Sequence, residues 1–389
     1  MSAIGGWICY EGRVPETTLL TDMSRAMLPR GKDQRGAYLR EGGCLFHNRS
    51  LSDGESPDFR QPLTLCRGGW NYTVVLDGRA WGRGEWSGVD GDITSESDAS
   101  LVLECYLAYG SSFWKHLEGS FALAIWDERR GELILGVDRE GSRPLFYSRQ
   151  GDALLFASEI KGLLRGMPSG AVVDRGYLRR HLLSPIGTVG AGEIYRDIRS
   201  LPAGHCAILS RMGLSFFQYG APDALSAPVE RTGEVYPLTA WCPEEAELRR
   251  SLTEALFSFD YPQFDCLMPA LLRLMDTRRE RRLWIGDEML YAHIGYARER
   301  ADRLGQRRGR VIRSVLPGSV ALRERELKKM DRQMRELLDG MDLAIPDHLF
   351  GTDWREALER EKNTAKRIRM RGMLYQSILW NQHYSLVLA

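Results

Sequence analysis

Leu117-Glu118-Gly119-Ser120-Phe121-Ala122-Leu123-Ala124-Ile125-Trp126-Asp127 runs into a polar tetrapeptide, Glu128-Arg129-Arg130-Gly131, and a second apolar run follows at once, Glu132-Leu133-Ile134-Leu135-Gly136-Val137-Asp138. Both runs are rich in strand-forming residues, and a charged link ending in glycine joins them, so the pair predicts a β-hairpin. Neither run has a polar face. Such strands must be covered on each side, which places the hairpin at the centre of a sheet between packing layers. Next come Gly141-Ser142-Arg143-Pro144-Leu145-Phe146-Tyr147 and Phe156-Ala157-Ser158-Glu159-Ile160-Lys161. Pattern alone leaves this as the core hairpin of some fold that mixes helices and strands.

Working outward toward the N-terminus, Ile4 to Tyr10 reads as a short apolar strand before a Glu11-Gly12 turn. Residues 17–27 carry Leu19, Leu20, Met23 and Met27 as a helical stripe. Leu28-Pro29-Arg30-Gly31-Lys32-Asp33 leads to Cys44-Leu45-Phe46-His47-Asn48-Arg49, and Val74-Val75-Leu76 is a strand ending at Asp77-Gly78-Arg79. Ser97-Asp98 opens a helix with Leu101, Val102, Cys105, Tyr106 and Tyr109 at apolar positions and Gly110 as its stop. Asp98 there suits the positive end of the helix dipole.

Working outward toward the C-terminus, Val173-Asp174 and Tyr195 precede Leu201-Pro202-Ala203-Gly204-His205. Residues 219–245 are rich in Ala, Pro, Gly and Thr and read as a linker between a domain at 1–218 and a second at 246–389. The second reads as helical. A helix starts at Pro243-Glu244-Glu245 with Leu248, Leu252, Leu256 and Phe257 on one side, and residues 267–275 and 321–338 are further candidates. The latter stripe, Leu327, Met330, Met334 and Leu337, is a packing face. Arginine clusters within 278–282, 307–310 and 366–371 lie among acids and read as solvated faces.

The 53 basic residues nearly balance the 52 acidic ones, for a net charge of +1, so neither nucleic acid nor a membrane surface is expected as a partner. Seven cysteines without a CxxC pair read as reduced, mostly buried thiols of a cytoplasmic protein. No export signal and no transmembrane helix is expected, since no apolar run approaches ~20 residues. The histidines lack metal-ligand spacing, and Gly82-Arg83-Gly84-Glu85-Trp86-Ser87-Gly88 lacks the spacing of a dinucleotide loop. No cofactor is expected.

The blocks L-x-G-x-F-A-x-A-x-W-D, D-R-x-G-x-R-P-L-F-Y and F-A-S-E-I-K, in this order and spacing, resemble the glutaminase domain of asparagine synthetases, a class II glutamine amidotransferase. The 28–33 loop resembles the family's H-R-G-P-D with Lys32 in place of proline, and the 201–205 block resembles its L-P-P-G-H turn. The resemblance implies an α+β chain. A four-layer αββα sandwich of N-terminal-nucleophile (Ntn) hydrolase type would be followed by a smaller, mainly α-helical domain.

The resemblance also implies site positions, and three of them are altered. Ser2 stands where the family has the nucleophilic cysteine; the first residue attacks while its own α-amine takes the proton, so Met1 must be removed. A hydroxyl is a weaker nucleophile than a thiol near neutral pH, and Ser2 as an ordinary N-terminal residue stays open. Arg49 matches the arginine that pairs with the substrate α-carboxylate, and Asp98 the carboxylate that holds its α-ammonium. Asp77 replaces the asparagine whose amide donates to the oxyanion, a function a carboxylate cannot supply, while Gly78 keeps its backbone N–H. Arg79 replaces a glutamate that helps hold the ammonium, putting a cation where a cation should bind.

An asparagine synthetase also carries an ATP-pyrophosphatase loop, S-G-G-x-D-S, which is absent after residue 220; Gly286-Asp287-Glu288 is only a distant match to the family's G-S-D-E loop. Three functions follow as expectations. The chain is a degenerate amidotransferase module working with a partner synthetase, an amidohydrolase using Ser2, or a sensor in which Arg49 and Arg79 hold glutamine or an acidic amino acid. A homodimer is a candidate assembly.

Overall fold

The computed structural model describes residues 2–10, 17–51, 59–82, 97–167, 170–178, 194–220, 246, 248–250, 252–253, 256, 324–351, 353–362, 364–384 and 387–388. In chain order the strands are β1 (Ser2–Cys9), β2 (Gln34–Arg40), β3 (Gly43–Arg49), β4 (Leu63–Arg67), β5 (Trp70–Gly82), β6 (Leu117–Asp127), β7 (Glu132–Val137), β8 (Phe146–Gln150), β9 (Ala153–Ala157), β10 (Val172–Val173), β11 (Arg199–Ser200), β12 (His205–Ser210), β13 (Gly213–Gln218) and β14 (Val387–Leu388). The helices are α1 (Thr17–Ala26), α2 (Asp98–Tyr109), α3 (Ile160–Gly166), α4 (Glu324–Leu338), α5 (Ala344–Phe350), α6 (Asp353–Arg360) and α7 (Thr364–Tyr384).

The chain divides into two compact units, one of residues 1–171 and 197–229, the other of 172–196 and 230–389. In the first unit two antiparallel sheets run β11-β8-β9-β1-β3-β2 and β13-β12-β7-β6-β5-β4. The hairpin β6–β7 sits at the middle of the second sheet, as its two-sided apolar character requires. Tyr106 Oη donates to Asp127 Oδ2 at 2.6 Å, and Asp127 Oδ1 accepts from the Arg130 backbone N–H at 2.9 Å. The carboxylate thus ties the hairpin turn to α2. Burial and that hydrogen bond to Asp127 both push the Tyr106 phenol upward, so it stays a donor across the physiological range.

Alternate residues along β6 feed two cores, as a period of two demands. Ala122, Ala124 and Trp126 meet Ile4 and Ile8 of β1, Leu45 of β3 and Phe156 of β9 between the sheets. Phe121, Leu123 and Ile125 face the other way, against Val102, Leu103 and Tyr106 of α2 and Phe113 and Trp114 just beyond it. The outer face of the first sheet is covered by α1 and α3, with Met23, Met27, Ile160 and Leu163 buried. The layers are therefore helix, sheet, sheet, helix: a four-layer αββα sandwich in an α+β chain, as the resemblance implies.

In the second unit Leu248 and Leu252 pack with Met330, Met334 and Leu337 of α4 and Ile368 and Tyr375 of α7, so these members of the leucine and methionine stripes form packing faces. Trp380 Nε1 donates to the Tyr195 hydroxyl at 3.0 Å. One expectation fails here. Arg371, read as part of a solvated cluster, is buried and ion-paired with Asp331, which also takes Arg367 at 3.1 Å. The cluster's composition is polar, but α7 turns that face into α4, where only a paired arginine is tolerated. The helix candidates at 267–275, the other two arginine clusters, most of the 219–245 linker, the 83–88 segment and Gly286-Asp287-Glu288 lie outside the described residues.

Candidate active site of the sandwich

Ser2, Arg49 and Gln34 stand in register across β1, β3 and β2. Two residues along, Ile4 and His47 are paired, and Ile4 belongs to the core between the sheets. Side chains two apart share a face. Ser2, Arg49 and Gln34 therefore lie on the sheet face turned toward the second sheet. Opposite, Val75 of β5 belongs to the same core and Asp77 follows it by two, fully buried. Strand pairing thus brings residues 2, 49 and 77 to one end of the sandwich.

Asp77 does not present a bare negative charge. Arg30 Nη2 donates to its Oδ2 at 2.9 Å, with the arginine side chain 13% exposed and the aspartate 0%. The same guanidinium donates from Nε to the Ser2 carbonyl at 3.0 Å. Ser158 Oγ lies 3.4 Å from Asp77 Oδ2 and accepts from the Ile4 backbone N–H at 2.9 Å. Arg30 and Ser158 thus clamp Asp77 to the start of β1. Arg30 thus balances the Asp77 charge, although the carboxylate still offers no N–H.

Gly78 has φ +111°, and a Cβ there would lie 2.0 Å from the Ser120 carbonyl oxygen on β6. Only glycine permits both the backbone angle and the close approach. Arg79 and Asp98 meet directly, Nε to Oδ2 at 2.7 Å, with side chains 64% and 28% exposed. The Ala80 N–H donates to the same carboxylate oxygen at 3.1 Å. Ser97 caps α2 by accepting from the Ser100 N–H, which fixes Asp98 at the helix start beside β5. The arginine therefore occupies the carboxylate that the resemblance assigns to an ammonium.

Arg49 donates from Nη1 to the Phe59 carbonyl at 2.6 Å and approaches Gln34 Oε1 at 3.5 Å. His47 is 2% exposed. Burial, with the Arg49 charge adding to it, pushes its pKa down to about 4, against the opposing pull of Asp77 and a hydrogen bond to the Leu76 backbone. The ring is neutral near pH 7. Cys44 and Cys105 are pushed up to about 12 by burial and stay as inert thiols. Among the described residues no group of three or more His, Cys, Asp or Glu is placed to hold a metal ion, and no helix is long and apolar enough to cross a membrane.

Of the six predicted positions, Ser2 and Arg49 lie at paired strand ends, Asp77, Gly78 and Arg79 lie within β5, and Asp98 lies at the start of α2, where Arg79 pairs with it. Sequence reasoning missed Arg30, Ser158 and Gln61, whose Oε1 accepts from the Leu76 N–H at 2.6 Å. Arg30 and Ser158 lie inside motifs that the sequence displays, but their partners are 47 and 81 residues away. No local pattern marks such pairs.

A family model described as a glutamine amidotransferase domain matches residues 1–220. Asparagine synthetase [glutamine-hydrolyzing] 3 of Bacillus subtilis is 31% identical over 225 residues, covering 56% of this chain and 36% of that protein. Amidase chry2 of Gibberella zeae is 34% identical over 140 residues, 35% of this chain and 21% of its own length. The chain thus spans about a third or less of these relatives. Among solved structures, the glutamine phosphoribosylpyrophosphate amidotransferase of B. subtilis aligns at 13% identity and TM-score 0.40, over 65% of this chain and 58% of that one. With more than half of its length matched by the domain model and its hairpin, site strands and sandwich in place, the chain belongs to the class II glutamine amidotransferase domains of the asparagine synthetase family.

Proposed function

We propose that the first unit is a degenerate amidotransferase module that does not turn over glutamine and works with a synthetase domain these 389 residues do not contain. The observation that carries the reading is double neutralisation: each carboxylate of the pocket is engaged by one of the chain's own arginines, Asp77 by Arg30 and Asp98 by Arg79. A substrate ammonium would have to displace Arg79, and an oxyanion would meet a carboxylate instead of an amide. Loss of one oxyanion donor alone costs about 2.7–4 kcal/mol of transition-state stabilisation. The weaker Ser2 nucleophile acts in the same direction.

The sequence after residue 220 fits this reading in carrying no S-G-G-x-D-S loop. Ammonia release from glutamine is the test, run on the full chain and on Ser2→Ala, with mass spectrometry to establish whether Met1 is removed. Equal background release in both supports the proposal; release that disappears in Ser2→Ala overturns it in favour of an amidohydrolase. The triple variant Ser2→Cys, Asp77→Asn, Arg79→Glu should gain release over the wild type.

A further inference from the structure

Of the four strands at the edges of the two sheets, three carry features that keep other chains from pairing with them. β2 carries Arg35 and Arg40, β4 carries Arg67 and begins just after Pro62, and β11 is two residues long. β13, Gly213-Leu214-Ser215-Phe216-Phe217-Gln218, is six residues long with no charge and no proline. Phe216 lies opposite Ala207, of the core between the sheets, and Phe217 opposite Cys206, of the core under α2. The two rings thus stand on opposite faces of the strand, 45% and 53% exposed, and Met212 at the hairpin tip is 97% exposed. The backbone edge is open as well. Tyr219 N–H donates to the Gly204 carbonyl, so the odd-numbered residues of this ladder bond to β12 and Leu214, Phe216 and Gln218 turn their N–H and C=O groups outward. Those groups make no hydrogen bond with any described residue.

We propose that β13 is a dimer interface: a second copy of this chain lays its own β13 antiparallel against the first, and the second sheet continues through a two-fold axis. A strand with a phenylalanine on each face belongs inside a sheet, and another strand beside it covers both rings at once. The occupant follows from charge. A two-fold axis sets like residues near one another, so a charged strand repels its own copy, whereas an uncharged one with a central aromatic is self-complementary. A partner steered by charge would find no complementary group on this strand. The outward backbone groups also select a register. With Phe216 opposite Phe216 of the partner subunit, Leu214 stands opposite the partner's Gln218, and every outward-facing residue enters a pair that exchanges both N–H···O bonds. The assignment gives the candidate homodimer its surface, and it stands independently of whether Ser2 is catalytic.

Sedimentation velocity of the full chain from low to high micromolar concentration tests it, and the wild type should pass from monomer to dimer. Phe216→Lys and Phe216→Glu each set like charges face to face at the two-fold and should weaken association by roughly tenfold or more. An equimolar mixture of the two variants sets lysine against glutamate and should restore the dimer, which a variant that merely failed to fold could not do. In the wild type, amide exchange at Leu214, Phe216 and Gln218 should slow as concentration rises. A wild type that stays monomeric overturns the proposal, whether those amides exchange freely or are already protected by residues 221–245, which lie outside the described residues. A dimer indifferent to both substitutions, or one that the mixture fails to restore, overturns it as well. Ammonia release reports separately on the degenerate module.

Discussion

Replacing Arg30 by methionine strands the Asp77 carboxylate, which has 0% of its side chain exposed. At 2.9 Å the pair's mutual attraction is about 6 kcal/mol for an effective dielectric of ~20. Most of that is offset by the desolvation of two charges, so the intact pair contributes little net stability. Breaking it is different, because the remaining charge keeps its desolvation penalty and loses its partner, a cost of about 3–5 kcal/mol. Arg30→Met should therefore destabilise the first unit by that amount. Urea unfolding followed by tryptophan fluorescence would show it as a midpoint lowered by about 1.5–2.5 M at a slope of ~2 kcal/mol per molar. The double variant Arg30→Met, Asp77→Leu removes both charges and should recover to within about 1 kcal/mol of the wild type, since apolar replacements of buried pairs are often neutral or stabilising. If the single variant loses less than about 1 kcal/mol, or the double variant is no better than the single, the carboxylate is not held by Arg30 and the neutralised-pocket argument falls.

His47 supplies a pH test. Its folded pKa of about 4 lies below the ordinary ~6.5, so the unfolded chain binds its proton first and stability falls as pH drops from about 6.5 to 4. The loss from this residue is about 3 kcal/mol, and His47→Gln should flatten the acid limb of the stability profile by that much; an unchanged limb would contradict a buried neutral ring. Gly78→Ala forces a side chain into φ +111° and against Ser120, and should cost at least about 2 kcal/mol by denaturant unfolding; a neutral result would mean that β5 and β6 do not approach as closely as described. Arg79→Ala breaks an exposed ion pair and should change stability by less than about 1 kcal/mol, which thermal unfolding can check.

Residue patterning placed the central hairpin, while the sandwich built around it came with the family resemblance. Phe121 to Trp126 and Leu133 to Val137 have no polar face, and a strand of that kind has nowhere to go but the middle of a covered sheet. The stripe of Met330, Met334 and Leu337 determined a packed helix in the same way, because helical spacing puts them on one side. The six site positions were legible as motif members, since each sits within a few residues of its own signature. Their electrical state was not. Whether Asp77 repels or is neutralised depends on Arg30, 47 residues earlier, and whether Asp98 accepts a ligand depends on Arg79, 19 positions before it. Arg371 failed for the same reason, being solvated by composition and buried by the way α7 lies on α4. Periodicity reports which face is apolar; which opposite charges come into contact depends on how distant strands and helices pack, and no local spacing encodes that.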